Sequence, residues 1–456
     1  GGVVLRAENL AALARNGLVV ALNGEPDALW ARVADSDRPL LAVEDPRRRF
    51  EELWRSRKLL YAQAEVAVDT TGLSPEEVAT TVVGHWRLAT APGRFEVRLA
   101  GGGYPVYIGT GLLSAAGAAA QRAARGRKVA LVTNPVVDGL YGDRVRRALA
   151  AAGRQTLTLS IPDGEAAKRL PVVEELYHQA VAAGLERDDL VLALGGGTVG
   201  DAAGFFAATY LRGLALLQVP TTLLAQVDAS VGGKVGVDLE EGKNLVGAFY
   251  QPRAVLVDPE VLQTLPGRER LSGLAEVIKH GVLGDPDLFA RLERWPEAAG
   301  EGGGPWPSQA ELEAAVREAV AVKADVVARD ERETGLRMAL NLGHTAGHAV
   351  EKVTGFATVR HGEAVAYGLA AATRIAVELG ICPPAEAERI TALVARFGLP
   401  RSREEFPVPV EVEDLLQAMA RDKKVRRGRL RWVLPRRVGE TVVTDEVPEE
   451  VVRRCL

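Results

Sequence analysis

DLVLALGGGTVGD, from Asp189 to Asp201, determines which fold the chain can adopt. Its first residues, Asp189–Leu194, form an apolar run of the length of a buried strand. Three glycines follow, and a helix is predicted from about Ala202. Glycines let the backbone approach an anion, and free N–H groups at a helix start favour negative charge, so the stretch predicts an anion site. The spacing is not the usual Rossmann pattern, and a purely structural turn, with Asp201 only capping the helix, fits the stretch alone equally well.

Strands and helices alternate on the N-terminal side of this stretch. The predicted strands are Lys128–Thr133 and Thr156–Ile161, and the predicted helices are Gly142–Ala152 and Leu170–Ala183. Such alternation is typical of a parallel sheet covered by helices. This unit begins near Phe95. After about Pro266 the strand signals fade and helical patterns dominate, so we expect a helical C-terminal domain.

Residues 1–85 form a separate, short α/β unit. Its strand candidates are Gly17–Leu22 and Val66–Thr70, and one helix is predicted over Pro26–Val33. Another helix starts after Ser74, because a serine, a proline and two acidic residues in this order make a well-capped first turn. The chain has no initiator Met, so we expect a fragment or a trimmed product.

The composition excludes several classes of protein. The chain has 456 residues, of which 47% are hydrophobic and 25% charged, and a formal net charge of −4. These values are typical of a soluble protein of about three domains, and they argue against nucleic acid as a partner. No apolar run is long enough to span a membrane, and no secretory signal is recognisable. The two cysteines, Cys382 and Cys455, lie far apart, which indicates free thiols in a reducing, cytoplasmic compartment.

Three of the six histidines, His344, His348 and His361, fall within 18 residues. His344 and His348 are four residues apart and so share one face of a helix. Glu276, in LAEVIKH at 274–280, is a candidate carboxylate. Two imidazoles and one carboxylate with an open position make a catalytic divalent-metal site. The spacing alone is also compatible with histidines that are satisfied in the core or at the surface.

Basic residues stand among glycines in the middle of the chain. Lys234 lies in DASVGGKVGV at 228–237, Lys243 in EGKNLVG at 241–247 and Arg212 in TYLRG at 209–213. Small neighbours leave such side chains open to phosphate or carboxylate groups. Any one of them fits a solvated loop, but several together favour an anion site.

Taken together, these motifs resemble 3-dehydroquinate synthase from about residue 95 to the end. The matching segments are Gly195–Asp201, Ala208–Gly213, Pro220–Asp228, Val231–Lys234, Gly242–Leu245 through Gln251-Pro252, Ala275–Gly281, Asn341–His348, His361–Glu363 and Asp422–Val425. The resemblance implies an α/β, Rossmann-like NAD-binding domain at 95–266, preceded by a linker at 86–94. It implies an α-helical metal- and substrate-binding domain at 267–456, with catalysis in the cleft between the two.

The resemblance also implies roles for individual residues. The implied ligands of a zinc or cobalt ion are Glu276, His344 and His361, and His348 becomes a contact of the substrate phosphate. The other implied substrate contacts are Arg212, Asp228, Lys234, Lys243, Asn244, Lys279, Arg337, Asn341 and either Lys423 or Lys424. Arg337 is expected to reach into a neighbouring subunit's site, so we expect a homodimer. The implied NAD contacts are Asn134, Glu165, Lys168, Gly195, Gly196, Gly197, Thr198, Val199, Asp201, Thr221, Thr222 and Lys243.

The implied reaction converts 3-deoxy-D-arabino-heptulosonate 7-phosphate, a small sugar phosphate, to 3-dehydroquinate and phosphate in the shikimate pathway to chorismate and the aromatic amino acids. NAD would take hydride from a ring hydroxyl held by the metal, and the resulting ketone would acidify the neighbouring C–H, so that phosphate leaves by β-elimination. The hydride would then return, the ring would open and an aldol step would close the carbocycle. The lysines, Arg212 and His348 would hold the phosphate.

Residues 1–85 resemble the C-terminal half of shikimate kinase. Gly1-Gly2 and Asn9 resemble the end of its shikimate-binding segment, Asp37–Leu41 its lid, and Arg57 with Tyr61 its late substrate-binding stretch. The Walker A loop, Gly-x-x-x-x-Gly-Lys-[Ser/Thr], is absent, and with it the phosphate-binding lysine and the hydroxyl that binds Mg²⁺. We therefore expect a truncated kinase unit without kinase activity and with exposed apolar surface.

Three other hypotheses fit parts of the sequence. An NAD- and metal-dependent polyol dehydrogenase would share the glycine loop and the metal, but it would release NADH and would not need the phosphate-binding lysines. Another sugar-phosphate cyclase would differ little in sequence. A non-catalytic scaffold would be expected to have lost part of the metal triad, which is complete here.

Overall fold

The structure is a computed structural model that describes residues 2–296, 306–356, 358–420, 425–426 and 429–456. Its strands are β1 (Val20–Asn23), β2 (Val66–Asp69), β3 (Gly93–Leu99), β4 (Gly102–Ile108), β5 (Lys128–Thr133), β6 (Gln155–Ser160), β7 (Leu190–Gly195), β8 (Ala215–Pro220), β9 (Lys234–Leu239), β10 (Gly242–Phe249), β11 (Ala254–Val257), β12 (Val425–Arg426), β13 (Arg429–Leu430), β14 (Trp432–Arg437) and β15 (Glu440–Thr444).

The α-helices connect and cover these strands. They are α1 (Ala7–Ala14), α2 (Pro26–Ala31), α3 (Pro46–Tyr61), α4 (Pro75–Ala89), α5 (Ala116–Ala123), α6 (Pro135–Val137), α7 (Asp143–Ala151), α8 (Leu170–Ala182), α9 (Gly197–Thr209), α10 (Gly267–Gly284), α11 (Pro286–Glu293), α12 (Gln309–Arg329), α13 (His344–Val353), α14 (His361–Glu378), α15 (Pro384–Arg396), α16 (Val412–Ala420) and α17 (Glu449–Cys455).

Within the described residues, a seven-stranded sheet forms the α/β unit, in the order β3-β4-β11-β8-β7-β5-β6. β3 and β4 pair antiparallel, and the other neighbouring strands pair parallel. The interior strand β7, between β8 and β5, is buried along its whole length. Its Leu192 belongs to the apolar cluster that includes α5 and α7, and its Val191 belongs to the one that includes α8 and α9. The expected parallel sheet covered by helices is therefore confirmed.

Several strands of this sheet have no counterpart in the sequence prediction. The β3–β4 hairpin, β8 and β11 add four strands to the three that were predicted. β8 and β11 are short, mostly apolar segments of six and four residues. Runs this short carry no periodicity that separates a buried strand from a buried helical segment, so only the assembled sheet identifies them.

The helix that follows the glycine loop begins at Gly197, earlier than the predicted start near Ala202. Glycines lower helix propensity, but burial of residues such as Val199 and Phe206 outweighs that cost. Asp201 consequently lies in the second turn of α9. The alternative in which Asp201 only caps this helix is wrong.

Helices dominate the chain after β11, as expected. α10, α12, α13 and α14 share one apolar core with the buried side of the β14–β15 hairpin, which the sequence did not predict. α13 and α14 cross in very close contact. A Cβ atom added at Gly368 on α14 would lie 1.8 Å from the carbonyl oxygen of Gly343, the residue before α13. Only glycine at position 368 permits this approach.

The N-terminal unit contains a two-stranded parallel sheet, in which Ala21 of β1 is opposite Ala67 of β2. Its last helix, α4, starts with the expected cap: the Ser74 hydroxyl accepts from the Glu77 N–H at 3.2 Å, and the Glu77 carboxylate accepts from the Ser74 N–H at 2.7 Å. α4 continues to Ala89 and β3 begins at Gly93, so most of the expected linker at 86–94 lies in regular structure.

α4 packs directly on the α/β unit. The Thr81 hydroxyl donates to the Ala151 carbonyl at the end of α7, at 2.8 Å. Nε2 of the buried His85 donates to the side-chain oxygen of Gln121 on α5, at 2.9 Å, and its Nδ1 accepts from Arg122 at 3.2 Å. The N-terminal unit is thus fixed to the rest of the chain through buried polar contacts.

Within the described ranges, none of the helices combines the length and the apolar composition that crossing a bilayer requires.

Candidate active site

Glu276, His344 and His361 meet at one point in the helical unit. Glu276 lies on α10 and is fully buried, while His344 and His361 are the first residues of α13 and α14. The Nε2 atoms of His344 and His361 lie 3.6 Å and 3.4 Å from Oε1 of Glu276. One ligand atom from each residue can be chosen so that all three lie within 4.8 Å of one another. Three helices therefore deliver two imidazoles and a carboxylate to one position, as a divalent-metal site requires.

The orientation of the two imidazoles suits metal binding. Nδ1 of His344 lies 3.0 Å from the carbonyl oxygen of Leu342, which can only accept, so Nδ1 donates to it and Nε2 lies on the side of the ring that faces Glu276. Nδ1 of His361 lies 3.3 Å from Oε2 of Glu351 and donates to it. Both rings thus turn Nε2 towards Glu276.

The buried negative charge of Glu276 also favours a bound cation. Neither of its buried oxygens has a hydrogen-bond partner of good geometry among the described residues, although the Lys279 ammonium forms an ion pair with it. Burial alone would lower the pKa of His361, but its close contacts with the carboxylates of Glu276 and Glu351 raise it to about 10. The carboxylates of Glu276 and Glu351 therefore favour a positive charge at His361, and either a proton or a divalent cation can supply it.

Two other groups of donor atoms overlap with this one: His348, Glu351 and His361, and Asp228, Glu276 and His280. In the first of them the His361–Glu351 contact already uses Nδ1 of His361. The ring of His348 lies 5.2 Å from that of His344, centroid to centroid. The structure therefore places His348 beside the triad.

A second charged cluster adjoins the triad. The Lys323 ammonium lies 2.8 Å from Oδ1 of Asp228, and the Lys279 ammonium lies 4.0 Å from the same atom. Burial would raise the pKa of the Asp228 carboxyl, but Lys323 and Lys279 hold it well below its usual range. Both lysines are almost fully buried. The ammonium groups of Lys279 and Lys323 thus lie beside the carboxylates of Asp228 and Glu276 in a largely buried site. Burying such charges costs free energy unless each one is paired with an opposite charge.

Lys323 was missed by the sequence analysis, although a signal was present. It lies on α12, where Val316, Val320 and Val327 form a buried stripe at helical spacing. Lys323 falls on that stripe. A lysine on the apolar face of a helix has to meet a buried anion, and here the anion is Asp228.

The loop before α13 brings three more polar groups together. Glu333 forms an ion pair with Lys234 and accepts from Nδ2 of Asn341 at 3.0 Å. Its backbone is left-handed, with φ of 58°. The Asp330 carboxylate fixes the loop by accepting from the N–H groups of Thr334, Gly335 and Arg337, at 2.7 to 3.0 Å. Glu333 is a second residue that the sequence did not single out, since its neighbours form no recognisable motif.

Arg337 forms hydrogen bonds within its own chain. It is only 2% exposed, and Nη2 donates to the Gly232 carbonyl at 2.9 Å. Another donor of its guanidinium binds the Glu331 carbonyl. The structure thus places Arg337 against groups of its own subunit, and both its reach into a neighbouring subunit's site and the homodimer stay expectations.

Residues expected to contact NAD assemble at the edge where parallel strands end. The Lys168 ammonium lies 2.8 Å from Oδ2 of Asp201 and donates to Oδ1 of Asn244 at 2.6 Å. Lys243 pairs with Glu165 at 2.9 Å. These five side chains form one network beside the glycine loop.

The carboxyl ends of β5, β7 and β8 supply the rest of this edge. Gly196 precedes α9 as a cap without a side chain, so Gly197, Thr198 and Val199 form its first turn. The Thr221 N–H, just after β8, donates to the Gly195 carbonyl at 2.9 Å. A Cβ atom at Gly196 would lie 3.1 Å from Cγ2 of Thr222. Asn134, after β5, caps the next turn by accepting from the Val137 N–H at 2.8 Å. Ligands of open parallel sheets bind at such an edge.

One of the expected substrate contacts, Arg212, is not brought into either cluster. Arg212 is exposed and has a left-handed backbone, with φ of 69°; no hydrogen bond or ion pair within the described ranges joins it to the site. Lys423 and Lys424 lie outside the described residues.

Family models match most of the chain. The model for the 3-dehydroquinate synthase N-terminal domain matches residues 158–272, that for its C-terminal domain matches residues 273–425, and the shikimate kinase model matches residues 1–86. Among curated relatives, the 3-dehydroquinate synthase of Nostoc punctiforme is 47% identical over 73% of this chain and 90% of its own length. That of Symbiobacterium thermophilum is 48% identical, over 77% of this chain and 96% of its own length.

Solved structures of similar fold include two synthases with bound NAD⁺. The 2-epi-5-epi-valiolone synthase of Streptomyces hygroscopicus, with NAD⁺ and Zn²⁺ bound, is 28% identical, with a TM-score of 0.67 over 77% of this chain and 95% of that one. A 2-deoxy-scyllo-inosose synthase, in complex with carbaglucose-6-phosphate, NAD⁺ and Co²⁺, has a TM-score of 0.70 over 79% of this chain and 98% of that one. Its identity of 24% supports the fold alone.

Proposed function

Because the chain belongs to the 3-dehydroquinate synthase family, whose members are lyases, we propose that it converts 3-deoxy-D-arabino-heptulosonate 7-phosphate to 3-dehydroquinate and phosphate. We propose NAD and one zinc or cobalt ion as its cofactors. The observation that carries the proposal is the Glu276–His344–His361 triad, with both Nε2 atoms turned inward, directly beside the Asp228–Lys279–Lys323 cluster. A metal site next to buried lysines suits a substrate with a hydroxyl to activate and anionic groups to hold.

The cofactors supply the hydride chemistry and the polarisation of a hydroxyl. When bound, NAD would supply a hydride acceptor, and a divalent cation held by Glu276, His344 and His361 would supply a Lewis acid for a hydroxyl. In this proposal residues 95–266 bind NAD, with the glycine loop facing its pyrophosphate, and residues 267–456 hold the metal.

The remaining polar groups hold and orient the substrate. Lys279 and Lys323 are held by Asp228 next to the metal position, where an ammonium group would stabilise negative charge on the substrate. Lys234 and Asn341 share Glu333, so an arriving anion competes with that carboxylate for both. His348, beside the triad, is assigned to the leaving phosphate. Arg212 and one of Lys423 and Lys424 are kept as candidates on the family resemblance alone.

The activity test uses the purified chain with the heptulosonate phosphate, substoichiometric NAD and Zn²⁺ or Co²⁺, and follows released phosphate and net NADH. We expect many turnovers of phosphate for each NAD and no accumulation of NADH, because the hydride returns within one turnover. A chelator should stop the release, and added metal should restore it.

Other outcomes of this assay would assign another activity. Stoichiometric NADH without phosphate would mean a dehydrogenase. Release of phosphate only from another sugar phosphate, such as glucose 6-phosphate, would mean a cyclase like the inosose synthase. Either result would overturn the proposed substrate.

Replacing Lys323 with methionine should lower kcat/KM for the sugar phosphate at least about 30-fold. The change removes a buried charge that pairs with Asp228, and truncating one partner of such a pair costs about 2–5 kcal/mol. Steady-state phosphate release measures it. Lys58→Met, at an exposed lysine of the N-terminal unit, is the matched control and should change nothing. Unchanged kcat/KM in Lys323→Met would remove Lys323 from the site.

We propose that residues 1–85 have no kinase activity. The sequence contains no Gly-x-x-x-x-Gly-Lys-[Ser/Thr] loop, and without one there is no cradle for the phosphates of ATP. The two-stranded β1–β2 sheet offers only part of the parallel sheet on which such a loop is normally mounted.

A further inference from the structure

The two histidines of the metal triad contact different groups through their Nδ1 atoms, on the side of the ring opposite to the metal position. His344 is oriented by a backbone carbonyl, that of Leu342, whereas His361 is oriented by a carboxylate, that of Glu351. A side chain can be substituted and a backbone carbonyl cannot. Glu351 is therefore the point at which the orientation of a metal ligand can be tested.

Glu351 lies on α13, one turn after His348, and is only 5% exposed. Its two oxygens have different partners. Oε2 accepts from Nδ1 of His361 at 3.3 Å, and Oε1 lies 3.7 Å from the ammonium of Lys243. Lys243 belongs to β10 of the α/β unit, so one carboxylate connects the metal ligand to the other side of the cleft.

Lys243 is itself held at this place. It pairs with Glu165 at 2.9 Å, and its ammonium lies 4.7 Å from the ring centroid of Phe356, just after α13. A line of contacts thus runs from His361 through Glu351 and Lys243 to Glu165. It joins the metal triad to the network that surrounds the glycine loop.

We propose that Glu351 is a positioning residue that orients His361 for the metal and links the metal site to the NAD side of the cleft through Lys243. The inference rests on the proposed function, since it takes the triad as the metal site. A carboxylate behind a ligating imidazole fixes the ring and makes it a stronger ligand. Because the same carboxylate also meets Lys243, NAD and the metal should influence each other's affinity, and such influence is reciprocal.

The test measures Co²⁺ affinity by competition with a chromophoric chelator, and the visible absorption of bound Co²⁺, in the full chain. Glu351→Ala should weaken Co²⁺ binding about 10–100-fold and change the Co²⁺ spectrum, because His361 loses its orienting partner. Glu351→Gln keeps an oxygen that can accept from Nδ1, so its loss should be smaller than that of Glu351→Ala. Glu378→Gln is the matched control, because Glu378 lies at the far end of α14 and pairs with Arg454.

The link to NAD is tested by repeating the titrations with saturating NAD. The wild-type affinity for Co²⁺ should change when NAD is present, and that change should shrink in Glu351→Gln, which has no charge to offer Lys243. Glutamine is nearly isosteric with glutamate, so the titrations can be carried out on Glu351→Gln even if Glu351→Ala does not fold.

The outcomes separate this inference from the proposed function. If the wild type binds no Co²⁺, the proposed function itself fails. If the wild type binds Co²⁺ and both Glu351 variants bind it with unchanged affinity and spectrum, Glu351 has only a structural role and the inference is wrong. If Co²⁺ affinity falls but NAD never affects it, even in the wild type, the link through Lys243 is overturned.

Discussion

Replacing His344 with alanine should abolish Co²⁺ binding and lower phosphate release at least about 1000-fold. The triad supplies three protein ligands, and the loss of one leaves Glu276 and His361 unable to hold a cation against water. A catalytic cation contributes several kcal/mol, and about 4 kcal/mol corresponds to a thousand-fold in rate. Chelator competition and steady-state phosphate release measure the two effects on the same preparation.

The control for this change is His178→Ala, at an exposed histidine of α8. It should leave both measurements unchanged. Adding metal should not rescue His344→Ala at concentrations that saturate the wild type. Wild-type Co²⁺ affinity in His344→Ala would show that the metal binds elsewhere, for example at the overlapping group formed by His348, Glu351 and His361.

Gly368→Ala should have the largest effect on stability. The added Cβ would lie 1.8 Å from the Gly343 carbonyl oxygen and 2.9 Å from the Gly347 nitrogen, and neither backbone atom can turn away as a flexible side chain could. Overpacking costs about 1–3 kcal/mol and more where only backbone can move, so we expect a loss of at least about 3 kcal/mol. Gly343 also precedes His344, so forcing α13 and α14 apart should weaken Co²⁺ binding as well.

Thermal unfolding and chelator competition measure the two consequences. Gly284→Ala is the matched control, because Gly284 ends α10 and its added Cβ would meet only Cγ1 of Val322, at 3.5 Å. That change should be neutral or slightly stabilising, since alanine has the higher helix propensity. A Gly368→Ala protein that unfolds at the wild-type temperature and binds Co²⁺ normally would show that the two helices can separate without cost.

The sequence predicted those parts of the fold whose signals are local. Lys128–Thr133 is a strand with the predicted bounds, and Ser74 caps α4 as expected, because an apolar run and a capping box are complete within a few residues. The predicted start of α9 was wrong. Packing of Val199, and not the low helix propensity of the glycines, determines where this helix begins. β8 and the β14–β15 hairpin were missed for the same reason: their burial comes from partners distant in sequence.

For the candidate site, the resemblance indicated which residues to examine and the structure shows what surrounds them. No pattern around Glu333 or Glu351 predicts that one accepts from Asn341 and the other from His361, because both contacts depend on how α13 and its preceding loop are placed. Lys323 could have been found from its place in the apolar stripe of α12. The roles of Arg337 and Arg212 came from the resemblance alone, and the structure connects only Arg337 to the site.

Helix α4 makes the α/β unit depend structurally on the kinase-like unit. The match to shikimate kinase ends at residue 86, inside a helix that runs to Ala89. Deleting everything that resembles the kinase would leave the Ala151 carbonyl without Thr81, leave Gln121 without His85 and uncover the apolar side chains beneath. Removing this helix should therefore destabilise the α/β unit. The last helix of the kinase-like unit is thus also a structural part of its neighbour.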